Sequence, residues 1–286
     1  MISLTQETIP EYFTIANSEN SWIKTPTNLY NFISRHSDKL LVTIGDSWTW
    51  GSDIAINNID DAHRVRSVFG NILSHKLSSD WLNLAISAQG NFWITEMVRQ
   101  VCHIVPNLKY TDIVIVCTFT GIGRWFDTIF DRDIDYNNWF DKHISCQEDF
   151  DKLPIMLNEI CVDRILSYIA PHKHISLKIG TNFVDHVGFD KLSSNQILHE
   201  PWYRVLGIKD EARVYNCVYH DRLAASALNF IKPRYHSEFK QWFLEIESLS
   251  TQRLRLLSKY PKFRNYHPLA EHHLTWAEYI AKNLNE

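Results

Sequence analysis

The chain has 286 residues, 45% of them hydrophobic and 22% charged, which is ordinary for a soluble globular protein and enough for one large core. A formal net charge of −4 argues against non-specific nucleic-acid binding as the main activity, because neutralising phosphates needs a basic surface. No apolar run approaches the roughly 20 residues of a membrane helix. The segment Met1–Glu7 lacks a basic stretch followed by an apolar one, so the expectation is a cytoplasmic protein without nucleic-acid or membrane partners.

Residues from about 1 to 38 read as an N-terminal arm with a helix around Leu29–His36. Lys39–Ile44 is a short aliphatic run stopped by Gly45-Asp46-Ser47, the pattern of a buried parallel strand. Val65, Val68, Phe69, Ile72 and Leu73 recur at helical spacing between His63 and Lys76. Trp81–Ile86 is a second strand, and a helix follows from about Trp93 to Val105, ended by Pro106. Thr111–Cys117 is β-branched almost throughout and is the clearest strand. An aromatic and acidic stretch at about 124–152 reads as an insertion over one end of the sheet. Its Trp125, Trp139 and Phe140 are insertion core in preference to a sugar-stacking platform.

A helix over about 153–169, a strand at His174–Ile179 and a second insertion at about 181–235 come next. Helical patterns at about 237–259 and 270–284 close the chain, which reads as a single domain over 1–286. Strands alternating with helices predict an open parallel sheet covered on both faces, with working residues at the carboxyl ends of its strands. Nine glycines are few for such a fold, so other residues must tolerate some of its turns. Five cysteines, odd in number and without a CxxC pair, suit reduced buried thiols better than a disulfide framework or a zinc site.

Two segments carry chemistry. Gly45-Asp46-Ser47-Trp48-Thr49-Trp50-Gly51 directly follows the first strand, which puts the Ser47 hydroxyl at the sheet's carboxyl edge beside a helix N-terminus. The plainer alternative makes Asp46 or Ser47 a helix N-cap. Near the other end stands His267-Pro268-Leu269-Ala270-Glu271-His272-His273-Leu274-Thr275-Trp276-Ala277. There Pro268 favours an extended His267 just before a helix start. His272 and His273 are adjacent, so on a helix they point apart, and no metal site is expected. His273 reads as a structural residue beneath the active-site loop. No glycine-rich phosphate loop is present, so no nucleotide or other cofactor is expected.

Together these segments resemble the SGNH (GDSL) hydrolase superfamily. The match lies in GDSWTWG at 45–51, in Asn83–Asn91 as a second block, and in the His267–Ala277 ending. The resemblance implies a three-layer α/β/α fold with a parallel, flavodoxin-like sheet. It also implies a serine esterase or deacetylase acting on a small or carbohydrate-linked ester, with Ser47 as nucleophile and His267 as general base. Asn265 stands where one branch places its acid and is expected, itself or through a neighbouring carbonyl, to accept from His267 Nδ1–H. Oxyanion-hole candidates are Ala88, Gly90, Asn91 and Thr120, and substrate-contact candidates are Trp48 and Arg124. Arg124 alternatively forms a surface ion pair with Asp127. The chain departs from the family at the third block, where Thr118–Arg124 lacks the expected Asn, and at Asn265 itself. These departures keep open a second reading, an SGNH-fold binding or structural protein without efficient catalysis.

Overall fold

A computed structural model describes residues 31–51, 54, 61–86, 90–104, 108, 110–120, 147–182, 188–206 and 268–284. Five strands form one sheet: β1 (Asn31–Ile33), β2 (Lys39–Ile44), β3 (Asp80–Asn83), β4 (Asp112–Phe119) and β5 (Ile175–Thr181). Their spatial order is β1-β3-β2-β4-β5. The pairs β2–β3, β2–β4 and β4–β5 are parallel, with Leu40 opposite both Asp80 and Ile113, and Cys117 opposite Ile179. The ladder runs on past β3, where the Leu84 and Ile86 amides donate to the Thr43 and Gly45 carbonyls at 2.9 and 3.1 Å. Residues 40–44, 82–86 and 112–117 are therefore neighbouring parallel segments, as the aliphatic patterning implies.

Seven helices are described: α1 (Ser47–Trp50), α2 (Asp61–Ser67), α3 (Phe69–Leu77), α4 (Asn91–Ile104), α5 (Gln147–Ile169), α6 (Trp202–Val205) and α7 (Ala270–Leu284). Alternate side chains of β2 enter two separate cores, which is what a parallel sheet covered on both faces requires. Leu40, Val42 and Ile44 pack with Ile94, Val98 and Val101 of α4 and Cys161, Val162 and Ile165 of α5. Leu41 packs on the opposite face with Phe69 and Leu73 of α3 and Trp276, Ala277 and Ile280 of α7. The layers are thus α/β/α, and the parallel strands take the flavodoxin-like order.

Two expectations need correction. Asn31–Ile33 is not helical; it pairs antiparallel with β3, Phe32 opposite Leu82. Sheet edge pairing outweighs the weak local pattern there, and Arg35 ties the following turn to Ser79 O at 3.1 Å and Asn71 Oδ1 at 2.7 Å. The single helix expected over 63–76 is two, because Val68 adopts extended φ −73°, ψ 146° between α2 and α3. The break lets α3 settle on the sheet at Gly70. A Cβ there would stand 2.5 Å from Trp81 Nε1 and 2.9 Å from Thr43 Oγ1. Turns made without glycine occur as expected, at His36 (φ 56°) and Ser78 (φ 52°).

Helix α5 begins at Gln147, so the last residues assigned to the first insertion are helical. Within the second insertion, Ser194–Gln196 forms a 3-10 turn, and Leu198 N–H donates to Ile179 O at 2.8 Å, extending the β5 edge. The C-terminal helix forms as its periodicity predicts. The helical pattern at 237–259 lies outside the described residues, as does most of each insertion. No helix among the described residues is long and apolar enough to cross a membrane.

Candidate active site

The strand order switches direction at β2: the chain passes from β2 to β3 on one side, then crosses to β4 on the other. The carboxyl ends of β2 and β4 flank the crevice where open α/β sheets place ligands. Gly45-Asp46-Ser47 occupies that point. Gly45 is needed for room, since a Cβ would lie 2.1 Å from Thr49 Oγ1, 2.7 Å from Thr49 Cβ and 3.2 Å from Thr118 O. Its backbone is not left-handed; the left-handed glycine of this segment is Gly51 (φ 83°), which caps α1 by donating to Ser47 O and Trp48 O.

Asp46 is the N-cap of α1, so the plainer reading of this residue holds: its Oδ1 accepts from Trp48 N–H at 2.9 Å. The same carboxyl group does more than cap. Oδ1 also accepts from Asn182 Nδ2 at 2.8 Å, and Oδ2 accepts from the Thr120 hydroxyl at 2.8 Å. All three side chains are buried. At the other end of α1, Arg64 donates Nη1 to Trp50 O at 2.8 Å, with its guanidinium 3.9 Å from the Trp50 ring centroid. Ser47, the first residue of α1, therefore stands on a turn held at both ends, and it is only 1% exposed.

Asn91 opens α4. Its Oδ1 accepts from Thr120 N–H at 2.9 Å, and its Nδ2 donates to Thr120 O at 3.3 Å and to Asn158 Oδ1 at 3.0 Å. Both Nδ2 hydrogens and the Thr120 hydroxyl thus serve the scaffold, so neither side chain is the open oxyanion donor expected of it. Gly90 is buried and adjoins Asn91. Trp48 is likewise not a ligand surface. It is 1% exposed and meets Trp202 edge-to-face at 5.3 Å in the core beneath the site.

His273 has the structural part expected of it. It is fully buried, stacks on Phe69 at 6.2 Å, and its Nδ1 accepts from Phe69 N–H at 3.2 Å. The break at Val68 leaves that amide at the start of α3, and an imidazole from α7 caps it. Its neighbour His272 turns the other way and accepts from Leu269 N–H at 2.9 Å, capping its own helix. No group of three or more His, Cys, Asp or Glu suited to a metal occurs among the described residues. His267, Asn265, Ala88 and Arg124 lie outside those residues.

Asn182 escaped sequence reasoning. It follows β5 in Gly180-Thr181-Asn182, a polar step at a strand's carboxyl end, and that placement is the signal that could have found it. Cys102, Cys117 and Cys161 are free and buried, as expected. Burial pushes the Cys102 thiol up to about 11 and the Cys161 thiol up to about 12, so neither is a nucleophile near neutral pH.

The fold and this site define an α/β protein with a polar cluster at the switch point of its sheet. No family model matches the chain, and no curated protein matches it. Among solved structures it is similar to LAE5, an alpha/beta hydrolase enzyme from the metagenome of Lake Arreo, Spain. The match has 17% identity and a TM-score of 0.33, and covers 86% of this chain and 96% of that one. The strand order of the protein itself, not this neighbour, defines the fold class.

Proposed function

We propose that the protein is a serine hydrolase of SGNH type that cleaves a small or carbohydrate-linked ester. The observation that carries the reading is Ser47 on a doubly capped turn at the carboxyl end of β2, where the strand order switches. In this mechanism His267 takes the Ser47 proton as Oγ attacks the ester carbonyl. The tetrahedral oxyanion collapses, expelling the alcohol, which takes the proton from His267, and water then releases the acid from the acyl-enzyme. Backbone donors for the oxyanion are the Ser47 N–H and the chain from Ala88 to Gly90. Asn265 orients His267, and Arg124 contacts an anionic substrate group.

Labelling with a fluorophosphonate probe tests the reading. The wild type should react, and Ser47→Ala and His267→Ala should not. Asn265→Asp should raise turnover of a small activated ester, because a carboxylate stabilises the imidazolium that an amide cannot. A specific observation favours the second reading, a binding protein on the same scaffold: the Asn91 and Thr120 donors are spent inside the protein. Wild-type labelling no greater than that of Ser47→Ala would decide for it.

A further inference from the structure

Three hydrogen bonds on Asp46 come from three different elements. Trp48 N–H belongs to α1, the Thr120 hydroxyl to the end of β4, and Asn182 Nδ2 to the end of β5. The Asn182 amide can face the carboxyl group only with its nitrogen, since an oxygen there would set acceptor against acceptor. Both partners are themselves held. Thr120 is bracketed through its own N–H and C=O by Asn91, which Asn158 of α5 holds in turn. Asn182 donates its N–H to Phe119 O at 3.0 Å and accepts from Tyr203 N–H at 3.1 Å.

We propose that Thr120 and Asn182 are positioning residues for Ser47, clamping the Gly45–Asp46–Ser47 turn to the ends of β4 and β5 through the Asp46 carboxyl group. The proposal rests on the reading of Ser47 as nucleophile, which the experiment tests separately. Swinging Asp46 away would orphan three buried donors at once, so the network selects one conformation of the turn. Ser47 directly follows the clamped residue, and its Oγ position inherits that selection. A reacting group displaced by about 1 Å can lose about 10²-fold in rate, which makes such a clamp consequential for an attacking hydroxyl. The end of β4, where the family's third block would place an oxyanion donor, here serves the nucleophile's turn instead.

The test compares Thr120→Val, Thr120→Ser and Asn182→Leu with wild type, and uses Val101→Ala, late in α4 and in the core on the sheet face opposite Trp48, as a destabilised control. Two quantities are read on the folded protein: the rate of fluorophosphonate labelling at Ser47 and hydrogen exchange at the Trp48 amide. Thr120→Val and Asn182→Leu should label up to about 10²-fold more slowly and exchange the Trp48 amide faster. Thr120→Ser, which keeps the hydroxyl, should restore both, and Val101→Ala should change neither. Unchanged labelling and exchange in both Thr120→Val and Asn182→Leu would overturn the clamp while leaving Ser47 as nucleophile. Faster exchange in a protein whose wild type labels no more than Ser47→Ala would support the clamp and reject the nucleophile. Should Thr120→Val not fold, Asn182→Leu makes the same comparison from the other strand.

Discussion

The Thr120 hydroxyl donates to Asp46 Oδ2 at 2.8 Å, joining the end of β4 to the turn after β2 across 74 positions of sequence. The bond is buried, and the same carboxyl group caps α1 through Oδ1, so its removal is felt in two elements at once. Asp46→Ala should cost about 2–4 kcal/mol, the sum of a lost cap and orphaned buried donors. Adding Thr120→Val to Asp46→Ala should cost less than it does in the wild type, because the pair shares one interaction. Urea unfolding of the four proteins measures the cycle, and strictly additive losses would show that the two residues do not communicate.

Gly45→Ala tests the room at the turn. The added methyl must displace Thr49 or the β2–α1 backbone, at about 1–3 kcal/mol. Thr49→Gly removes the clashing side chain, so the double variant should recover the part of the Gly45→Ala loss due to that contact. A Gly45→Ala protein as stable as wild type would mean that the turn has slack that its geometry does not show.

The imidazole cap of α3 is a second long-range dependence. His273→Ala removes the acceptor for Phe69 N–H and empties a slot between Phe69 and Trp202, whose ring lies 5.1 Å from His273. A loss of about 2–4 kcal/mol is expected, visible as a lowered urea midpoint. His272→Ala should cost less, about 1 kcal/mol, because that residue is partly buried and its cap serves its own helix start.

The buried thiols set an alkaline limit. Burial raises Cys117 and Cys161 well above the ordinary thiol value, so unfolding releases protons once the pH passes that ordinary value near 9.0. The stabilisation is complete below this point and is lost as pH rises toward the folded values. Each of these two thiols should remove about 1.4 kcal/mol per pH unit above it. Stability measured from about pH 8 to about pH 11 should fall along this slope, and Cys161→Ala should make it shallower. In the native protein at about pH 8, iodoacetamide should leave Cys102, Cys117 and Cys161 unmodified.

Much of the architecture was legible in the chain. β2 and β4 announce themselves as short β-branched or aliphatic runs, because a strand buried on both faces can spend no residue on solvent. The periodicity of Ala270–Leu284 likewise sufficed for α7, since one apolar stripe must meet the core. Ser47 was singled out by its place after β2, a local feature, and Asp46 as a helix cap is local too. The strand Asn31–Ile33 was not legible, because its reason for being extended is β3, half a hundred positions away in sequence.

What the sequence determined by itself was therefore the alternation of strand and helix and the turn that carries Ser47, both set by neighbours within a few residues. Only the tertiary structure decided what surrounds that turn. Asn182 and Thr120 meet Asp46 because β5 and β4 end beside β2, and Asn91 is spent on Thr120 because α4 starts there. Trp48, which a local reading offers to a ligand, becomes core because α6 brings Trp202 against it. Hydrogen bonding and packing act through space, and strand order, which no local pattern records, determines which polar groups are close enough to satisfy one another.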